Sequence, residues 1–415
     1  MIGPEKLQSI PDEMAQIMRA LQDWGIEDIA RRIANAGIVA SSAEYTLTTM
    51  MEQDVFQTEW GKRIAEAAGM TDETVEFLLR EASEANYIYD KRAFEAAGIP
   101  FTPFEENVFV QDLTRNIIAQ TQGEFKNITR SMGFARKVNG RIVFEPLAKF
   151  YQTELNLATT KVAAGLQTFD GAVKEAVTRM ADSGLRTVSY QSGHVDRIDV
   201  AARRATLAAM KELTVRQSDY NSEIMGTTTF EFSWHSGHRP SHGWGGRRYD
   251  RLGAHYPKRE DVYEKYGGGG LDDYNCYHEE YAIFPDSPPK YTDEQLDQMS
   301  EKEQQLIEFE GNKYNAYDAR QQQRALERIM RRQKSKIAGY EGARGRAQEE
   351  LQRVNELPEA APKALQKAMQ DNAEVSEMLQ QAKVANNQTR KQYKDFSAAM
   401  GLPTEFERVH TGYIA

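Results

Sequence analysis

The chain has 415 residues, for which two or three domains are the prior expectation. Its net charge of -10 at pH 7 argues against broad binding to a nucleic-acid backbone, which needs a basic surface. The single cysteine excludes an intrachain disulfide framework and favours a reducing compartment. No apolar run has the length of a signal peptide or of a membrane helix. We expect synthesis in a cytosol, followed by a soluble state or an assembly.

Residues 1–140 have the spacing of apolar side chains that predicts a helical region. Pro11 and the two acids after it favour a helix start, because proline suits the first turn and acids suit the positive end of the dipole. Thr71 is expected to cap a later helix. A segment with glycine and two prolines, 98–103, breaks the pattern. The predicted helices begin near residues 11, 26, 42, 71 and 108.

Residues 141–290 are predicted to form a smaller α+β region. Asn139-Gly140 suits a type I′ turn, which predicts a tight hairpin over 137–143. From 236 to 289 the chain is rich in glycine and proline, so packing, a metal or a partner is needed to fix it. The other expected elements are helices over about 145–168, 170–182 and 197–221, and strands over about 184–190 and 227–234.

Residues 291–415 return to a helical pattern, with Thr292 as an expected cap. A long helix without an evident cap is predicted over about 314–355, and a last helix is predicted to end near Met400. The predicted fold class is mainly α with a smaller α+β domain: long helices, few short strands and a loop-rich segment with histidine and cysteine. The three regions 1–140, 141–290 and 291–415 are the predicted domains.

The loop-rich segment contains four candidate metal ligands, His235, His242, Cys276 and His278. Two pairs of nitrogen or sulfur donors about thirty residues apart are typical of a tetrahedral zinc site. A structural site would use all four ligands, whereas a catalytic site would leave a position open for water, with Glu279 as general base. His238 and His255 are spare candidates. The alternative is that these side chains only pack a loop.

Residues 313–353 are locally basic, with 11 Lys or Arg and 5 Asp or Glu. A strip of this kind suits DNA phosphates. It equally suits pairing with acids elsewhere in this chain or on a neighbouring subunit, or a solvated helix face. The arginines assigned to the DNA-facing basic strip are Arg320, Arg324, Arg328, Arg331 and Arg332.

Five motifs occur in the order in which one protein family has them. They are Tyr190–His194 with Ile198, Asp199 and Arg203; Ser233–His242; Gly270-Leu271 with Asn275, Cys276 and His278; Tyr317–Arg331; and Phe396–Arg408. The S-x-H-x-G-x-R-P-x-H pattern and the N-C-x-H pair are specific together. On these motifs the chain resembles the phage minor capsid protein 2 family over roughly 145–415, whereas 1–140 match only in being helical.

The resemblance implies a structural minor head protein of a tailed bacteriophage, distantly similar to the Mu F type of head morphogenesis protein. Such a protein binds the portal and other capsid proteins in the capsid interior, and it aids head assembly and DNA ejection. We therefore expect a location in the virion, and in the host cytoplasm during assembly, with contact to packaged DNA and no membrane. No enzymatic activity is implied. The alternative is a virion-carried zinc-dependent hydrolase or nucleic-acid-modifying enzyme.

Overall fold

A computed structural model describes residues 4–37, 42–138, 141–163, 166–189, 193–273, 276–357 and 362–410. The α-helices are α1 (Pro4–Gly37), α2 (Ser42–Tyr89), α3 (Lys91–Ala96), α4 (Val108–Arg130), α5 (Leu147–Ala163), α6 (Phe169–Ser183), α7 (Ile198–Met225), α8 (Arg259–Lys265), α9 (Asp293–Gln304), α10 (Ala316–Asn355) and α11 (Pro362–Ala399). The strands are β1 (Met132–Val138), β2 (Arg141–Pro146), β3 (Arg186–Val188), β4 (Val195–Arg197), β5 (Thr229–Phe232), β6 (Arg248–Asp250), β7 (Glu280–Ile283), β8 (Ile307–Phe309) and β9 (Asn312–Tyr314). Short 3-10 turns cover Phe104–Glu106, Pro240–His242 and Phe406–Val409.

The described strands form three small antiparallel sheets, with the orders β2-β1-β3-β4, β6-β5-β7 and β8-β9. Helices make up most of the rest, and four of them exceed thirty residues: α1, α2, α10 and α11. The predicted fold class, mainly α with few short strands and a loop-rich segment, is therefore confirmed.

The predicted breaks in the first two helices are wrong. α1 runs from Pro4 through Pro11 to Gly37 without a break near residue 25. Gly25 instead permits close packing of α1 on α2, because a Cβ atom there would lie 2.3 Å from the Trp60 ring. Thr71 lies inside α2, where its hydroxyl donates to the carbonyl of Ala68 at 2.8 Å. Local start signals therefore misplaced these boundaries, since Gly25 serves a contact between two helices and the Thr71 hydroxyl bonds within its own helix.

The predicted hairpin near residue 140 is confirmed by the pairing of β1 with β2, in which Val138 lies opposite Arg141. Its turn, Asn139-Gly140, lies outside the described residues. The β8–β9 hairpin was not predicted, although Glu310 and Gly311 turn between its strands with φ of 49° and 79°. The expectation that the long helix after it has no cap is wrong, because the Asn315 side chain accepts from the N–H of Asp318.

The largest apolar cluster lies among the long helices. It includes residues of all three predicted regions, such as Met14 of α1, Leu79 of α2, Leu155 of α5, Leu213 of α7 and Tyr340 of α10. Burial of a single side chain of this size stabilises the fold by about 1.5–3 kcal/mol. The division at 140 and 290 stays a prediction, and one core contains parts of each region.

A second apolar cluster fixes the loop-rich segment 236–289. Phe232 of β5 packs against Trp244, with ring centroids 4.6 Å apart. The indole N–H of Trp244 donates to the carbonyl of Gly269 at 2.8 Å. Gly267 has φ of 137°, and a Cβ atom there would lie 2.6 Å from the backbone of Ser241. Gly267 therefore permits close backbone packing beside the histidines.

Within the described part of the chain, no helix combines the length and the apolar character needed to cross a membrane.

Candidate functional site

Two hydrogen bonds bring the two histidine-bearing segments together where β5 ends and β7 begins. The backbone N–H of Ser233 donates to the carbonyl of Glu279 at 2.8 Å. The backbone N–H of Glu279 donates to the Ser233 hydroxyl, also at 2.8 Å. Because β5 and β7 are antiparallel neighbours, the chain that leaves β5 passes the chain that enters β7. His235 and His278 therefore lie side by side although they are distant in sequence.

Three of the four candidate ligands form one buried group. Donor atoms of His242, Cys276 and His278 all lie within 4.8 Å of one another. The Sγ atom of Cys276 is 3.6 Å from Nδ1 of His278. The Nε2 atom of His242 is 2.9 Å from Oδ2 of Asp273, a residue that no sequence motif singled out. This set of nitrogen and sulfur donors is of the kind that zinc prefers.

The other histidines lie at increasing distances from this group. The ring of His235 packs against that of His278, with centroids 4.3 Å apart, but its nitrogens do not join the group within 4.8 Å. The ring of His238 is 5.9 Å from that of His278. His255, the other spare candidate, is exposed in the turn after β6. His235, the fourth predicted ligand, therefore lies beside the group and not within it.

Burial keeps the three imidazoles closest to the site neutral. It lowers the pKa of His278 well below its usual range and that of His235 to about 4. Burial also lowers the pKa of His242, although Asp273 partly opposes this shift. Neutral imidazole nitrogens are the form that binds metal ions, because a protonated ring has no free lone pair. At neutral pH the site therefore presents nitrogen donors ready for a cation.

Glu279 is a second buried polar residue beside the group. It is 2 % exposed, and neither carboxylate oxygen has a hydrogen-bond partner. Burial raises the pKa of this carboxyl to about 8. Together with His278, Lys211 and Leu271 it lines a cavity of about 390 Å³. A buried carboxyl group that faces a cavity and lacks a partner is a candidate for ligand or substrate contact.

A second cavity, of about 350 Å³, connects two features that the sequence treated separately. His235, His238, His242 and Cys276 line one side of it, and arginines of α10 line the other. Four of the five residues of the basic strip belong to this wall: Arg320, Arg324, Arg328 and Arg331. Arg332 lies outside it. The histidine segment and the basic strip therefore face each other across one cavity.

Most arginines of this wall are held by acids of the same chain. Arg320 pairs with Glu405 at 3.0 Å, and Arg324 pairs with Glu405 at 2.7 Å. Arg331 donates to the carbonyl of Arg408 at 3.0 Å. The remaining two members of the strip, Arg328 and Arg332, are exposed, and Arg332 lies 3.8 Å from the exposed Asp182. The strip thus has a paired part and an exposed part.

A network of charges beside this wall joins α1, α7, α10 and the turn at Phe406–Val409, and Arg203 and Arg408 of this network also line the cavity. Asp12 accepts hydrogen bonds from Arg203 and Arg408. Glu327, which is fully buried, accepts from Arg408 at 3.0 Å. The carboxylates of Asp12 and Glu327 raise the pKa of Arg408 in spite of its burial. The network thus unites Arg203, Glu327 and Arg408, which belong to three separate sequence motifs.

Comparison with known proteins gives a match to one protein family. No curated protein and no solved structure matches the chain. The family model described as Phage minor capsid protein 2 matches residues 2–396. The match therefore also includes the N-terminal helices, for which the motifs indicated no more than helix content. Because it covers nearly the whole chain, this protein belongs to the phage minor capsid protein 2 family.

Proposed function

We propose that this protein is a minor head protein that binds the portal inside the capsid of a tailed bacteriophage and aids head assembly. Family membership makes it a structural capsid protein, with other capsid proteins as partners and the virion as its location. The match over residues 2–396 is the observation that carries the proposal. The proposal also includes four more specific roles: portal binding, assembly in the host cytoplasm, contact with DNA and a part in DNA ejection.

Exposed apolar side chains support a docking surface in the region 1–140. Val108 is 72 % exposed, and Phe109 and Ile88 are about half exposed. They lie near one another because Asn107 donates to the hydroxyl of Tyr87 at 2.8 Å, which joins the start of α4 to the end of α2. An exposed apolar group of this kind is typical of a protein contact. We assign the portal contact to this surface.

Sedimentation of the purified protein with and without portal tests the assignment. The wild type is expected to sediment with portal. Val108→Lys is expected to weaken this association at least about tenfold, since a charge would replace an apolar side chain that the complex buries. Val384→Lys is the matched control, because Val384 is an exposed valine on α11, 45 % accessible to solvent. No portal-dependent shift of the wild type would contradict portal binding.

A part in DNA ejection is tested on assembled particles. Particles that contain Val108→Lys, or that lack the protein, are expected to package DNA and to eject it less completely than wild-type particles. Complete ejection from particles without the protein would contradict this step while leaving the structural role intact.

We further propose that the basic strip contacts packaged DNA through its exposed members, Arg328 and Arg332. Each phosphate contact changes the slope of log affinity against log salt by about 0.9. The double variant Arg328→Gln/Arg332→Gln is therefore expected to reduce that slope by about 2. Lys363→Gln/Lys367→Gln, on exposed positions of α11, is the control. Equal slopes for the wild type and both variants would contradict DNA contact by the strip.

The second candidate is a virion-carried zinc-dependent hydrolase or nucleic-acid-modifying enzyme. Glu279 favours it, because its two unpartnered oxygens and His278 face the same cavity. Three protein donors would leave a fourth position on zinc for water. Zinc-loaded protein is to be assayed on single-stranded DNA, duplex DNA and RNA. Turnover that Glu279→Gln abolishes would favour the enzyme, and absence of turnover with zinc bound would favour the structural role, which the family supports.

A further inference from the structure

We propose that His235, His242, Cys276 and His278 bind one Zn²⁺ ion that fixes the loop-rich segment 236–289 to the adjacent strands. The proposal does not depend on portal binding. Donor atoms of three of these residues lie within 4.8 Å of one another, and all three are buried. A thiolate with imidazole nitrogens favours zinc over magnesium or calcium, which prefer oxygen ligands.

The spacing of one donor pair fits a tetrahedral ion. Zinc binds sulfur at about 2.3 Å and nitrogen at about 2.0–2.1 Å, so two such ligands at the tetrahedral angle are about 3.6 Å apart. The Sγ atom of Cys276 and the Nδ1 atom of His278 are 3.6 Å apart. This Cys-x-His pair is therefore spaced to share a single ion.

A carboxylate supports the second histidine. Histidines that bind metal ions usually donate their other ring N–H to a carboxylate or carbonyl, which fixes the tautomer and the ring orientation. Asp273 lies 2.9 Å from Nε2 of His242, and this contact leaves Nδ1 of His242 for the ion. His242 therefore has the carboxylate partner that is expected of a histidine that binds a metal ion.

His235 is assigned to the fourth position. Its ring lies against that of His278, with centroids 4.3 Å apart, closer than the ring of His238 at 5.9 Å. Its Nδ1 atom is 3.2 Å from the carbonyl of Ser236, so Nε2 is the nitrogen left for zinc. With this ligand the site would contain three histidines and one cysteine.

Two cavities connect the buried group of His242, Cys276 and His278 to its surroundings. His278 borders the cavity of about 390 Å³, while His242 and Cys276 border the cavity of about 350 Å³. An ion could therefore enter from either side, as a metal site requires. Once bound, it would join the turn Pro240–His242 to the start of β7. The ion would thus cross-link a segment that has few regular elements.

Metal analysis of the purified protein tests the proposal, with Cys276→Ser as the main variant. The wild type is expected to hold about one zinc per chain, as a single four-ligand site requires. Serine keeps a hydroxyl that can hydrogen-bond His278 but lacks the soft sulfur, so Cys276→Ser is expected to lose the zinc. His255→Ala, on an exposed histidine, is expected to keep it. Cobalt in place of zinc should show thiolate-to-metal absorption that only Cys276→Ser abolishes.

The wild type also provides a test that does not depend on how the variants fold. A chelator is expected to lower its melting temperature, and added zinc is expected to restore it. Asp273→Asn is expected to weaken zinc binding about 10–100-fold, because the supporting carboxylate is lost. His235→Ala is expected to weaken it as well.

Three results would overturn the proposal. One is a folded wild type without zinc whose melting temperature responds neither to chelator nor to added zinc. Another is equal loss of zinc from His255→Ala and Cys276→Ser, which would indicate unspecific binding. Unchanged affinity in His235→Ala would overturn the assignment of the fourth ligand.

Discussion

The long helices and the loop-rich segment 236–289 are stabilised in different ways. The long helices share an extended apolar core, and a network of buried charges joins α1, α7 and α10. In the segment 236–289, the regular elements are short, and a few aromatic rings and close glycine contacts fix the chain. Stability is therefore spread over many contacts in the helices and depends on few contacts in the segment.

Trp244 illustrates this dependence on few contacts. Its side chain is fully buried, and its ring packs against Phe232 at 4.6 Å, His278 at 4.6 Å and Tyr263 at 5.0 Å between centroids. It also holds the glycine run through the carbonyl of Gly269. The two regions should therefore respond differently to single substitutions.

The largest expected effect is on the helices, from Glu327→Ala. Removal of this buried carboxylate leaves Arg408, which is only 9 % exposed, with one partner fewer, so the free energy of unfolding should fall by about 3–5 kcal/mol. Urea unfolding measures this change in the free energy of unfolding. Glu66→Ala, which removes an exposed pair with Arg63, should cost less than about 1 kcal/mol. Equal costs for the two variants would contradict a structural role of the network.

Next comes Trp244→Ala, which should destabilise the loop-rich segment by about 3 kcal/mol or slightly more. Because the segment depends on this ring, the loss should be local. Hydrogen exchange should become faster over 236–289 and stay slow in α1 and α10. Trp24→Ala, on the partly buried Trp24 of α1, is the control and should leave the exchange of the segment unchanged. Uniformly faster exchange after Trp244→Ala would show that the two regions unfold as one unit.

A pH effect is expected from Asp90→Asn, at the junction of α2 and α3. Burial raises the pKa of Asp90 to about 6 from a usual value of 3.8, so the folded state binds the proton more tightly than the unfolded state. The wild type therefore loses stability from this group as pH rises from about 4 to above 6, and the asparagine variant does not. Relative to wild type, Asp90→Asn should gain about 2–3 kcal/mol between pH 4 and 7.

Urea unfolding at several pH values checks this prediction. Asparagine keeps an oxygen that can accept from Asn221, as Asp90 does at 2.7 Å, so the variant should fold. Asp112→Asn, on an exposed part of α4, is the matched control. A stability difference between Asp90→Asn and wild type that stays constant with pH would rule out the linkage.

The smallest effect should come from Gly25→Ala in α1. The added methyl group would meet the Trp60 ring at 2.3 Å, and the required shift should cost about 1–2 kcal/mol. Gly61→Ala in α2 meets no atom within 4 Å, so better helix propensity should stabilise it by up to about 1 kcal/mol. Opposite signs for the two variants in thermal unfolding would confirm close packing of α1 on α2. Stabilisation by both would contradict it.

Much of the fold could be predicted from local sequence. The helical pattern of the sequence indicated α4, α7 and α10 with nearly the observed bounds, and Asn139-Gly140 indicated the β1–β2 hairpin. The wrong break near residue 25 arose where a distant contact decides the structure. Gly25 resembles a helix end in sequence, yet it is a contact point for Trp60. A single sequence does not contain the position of that partner.

The candidate site, like the fold, could be predicted only in part. His242, Cys276 and His278 could be grouped from their spacing, and the structure brings them together. Asp273 could not be singled out, because an acid in a loop is normally solvated. That the basic strip faces the histidines could not be predicted either, since it follows from the packing of α10 against the segment and not from any spacing along the chain.

The contact between Asp12 and Arg408 has a consequence for how the protein is made. These residues are 396 positions apart, so Asp12 leaves the ribosome long before its partner is synthesised. Until then the first helix carries a carboxylate without its final counter-charge. We expect this ion pair to form only after residue 408 has left the ribosome, which makes it a late step of folding. A chain truncated before residue 408 should therefore be cleaved by protease faster along its first helix than the chain that contains Arg408.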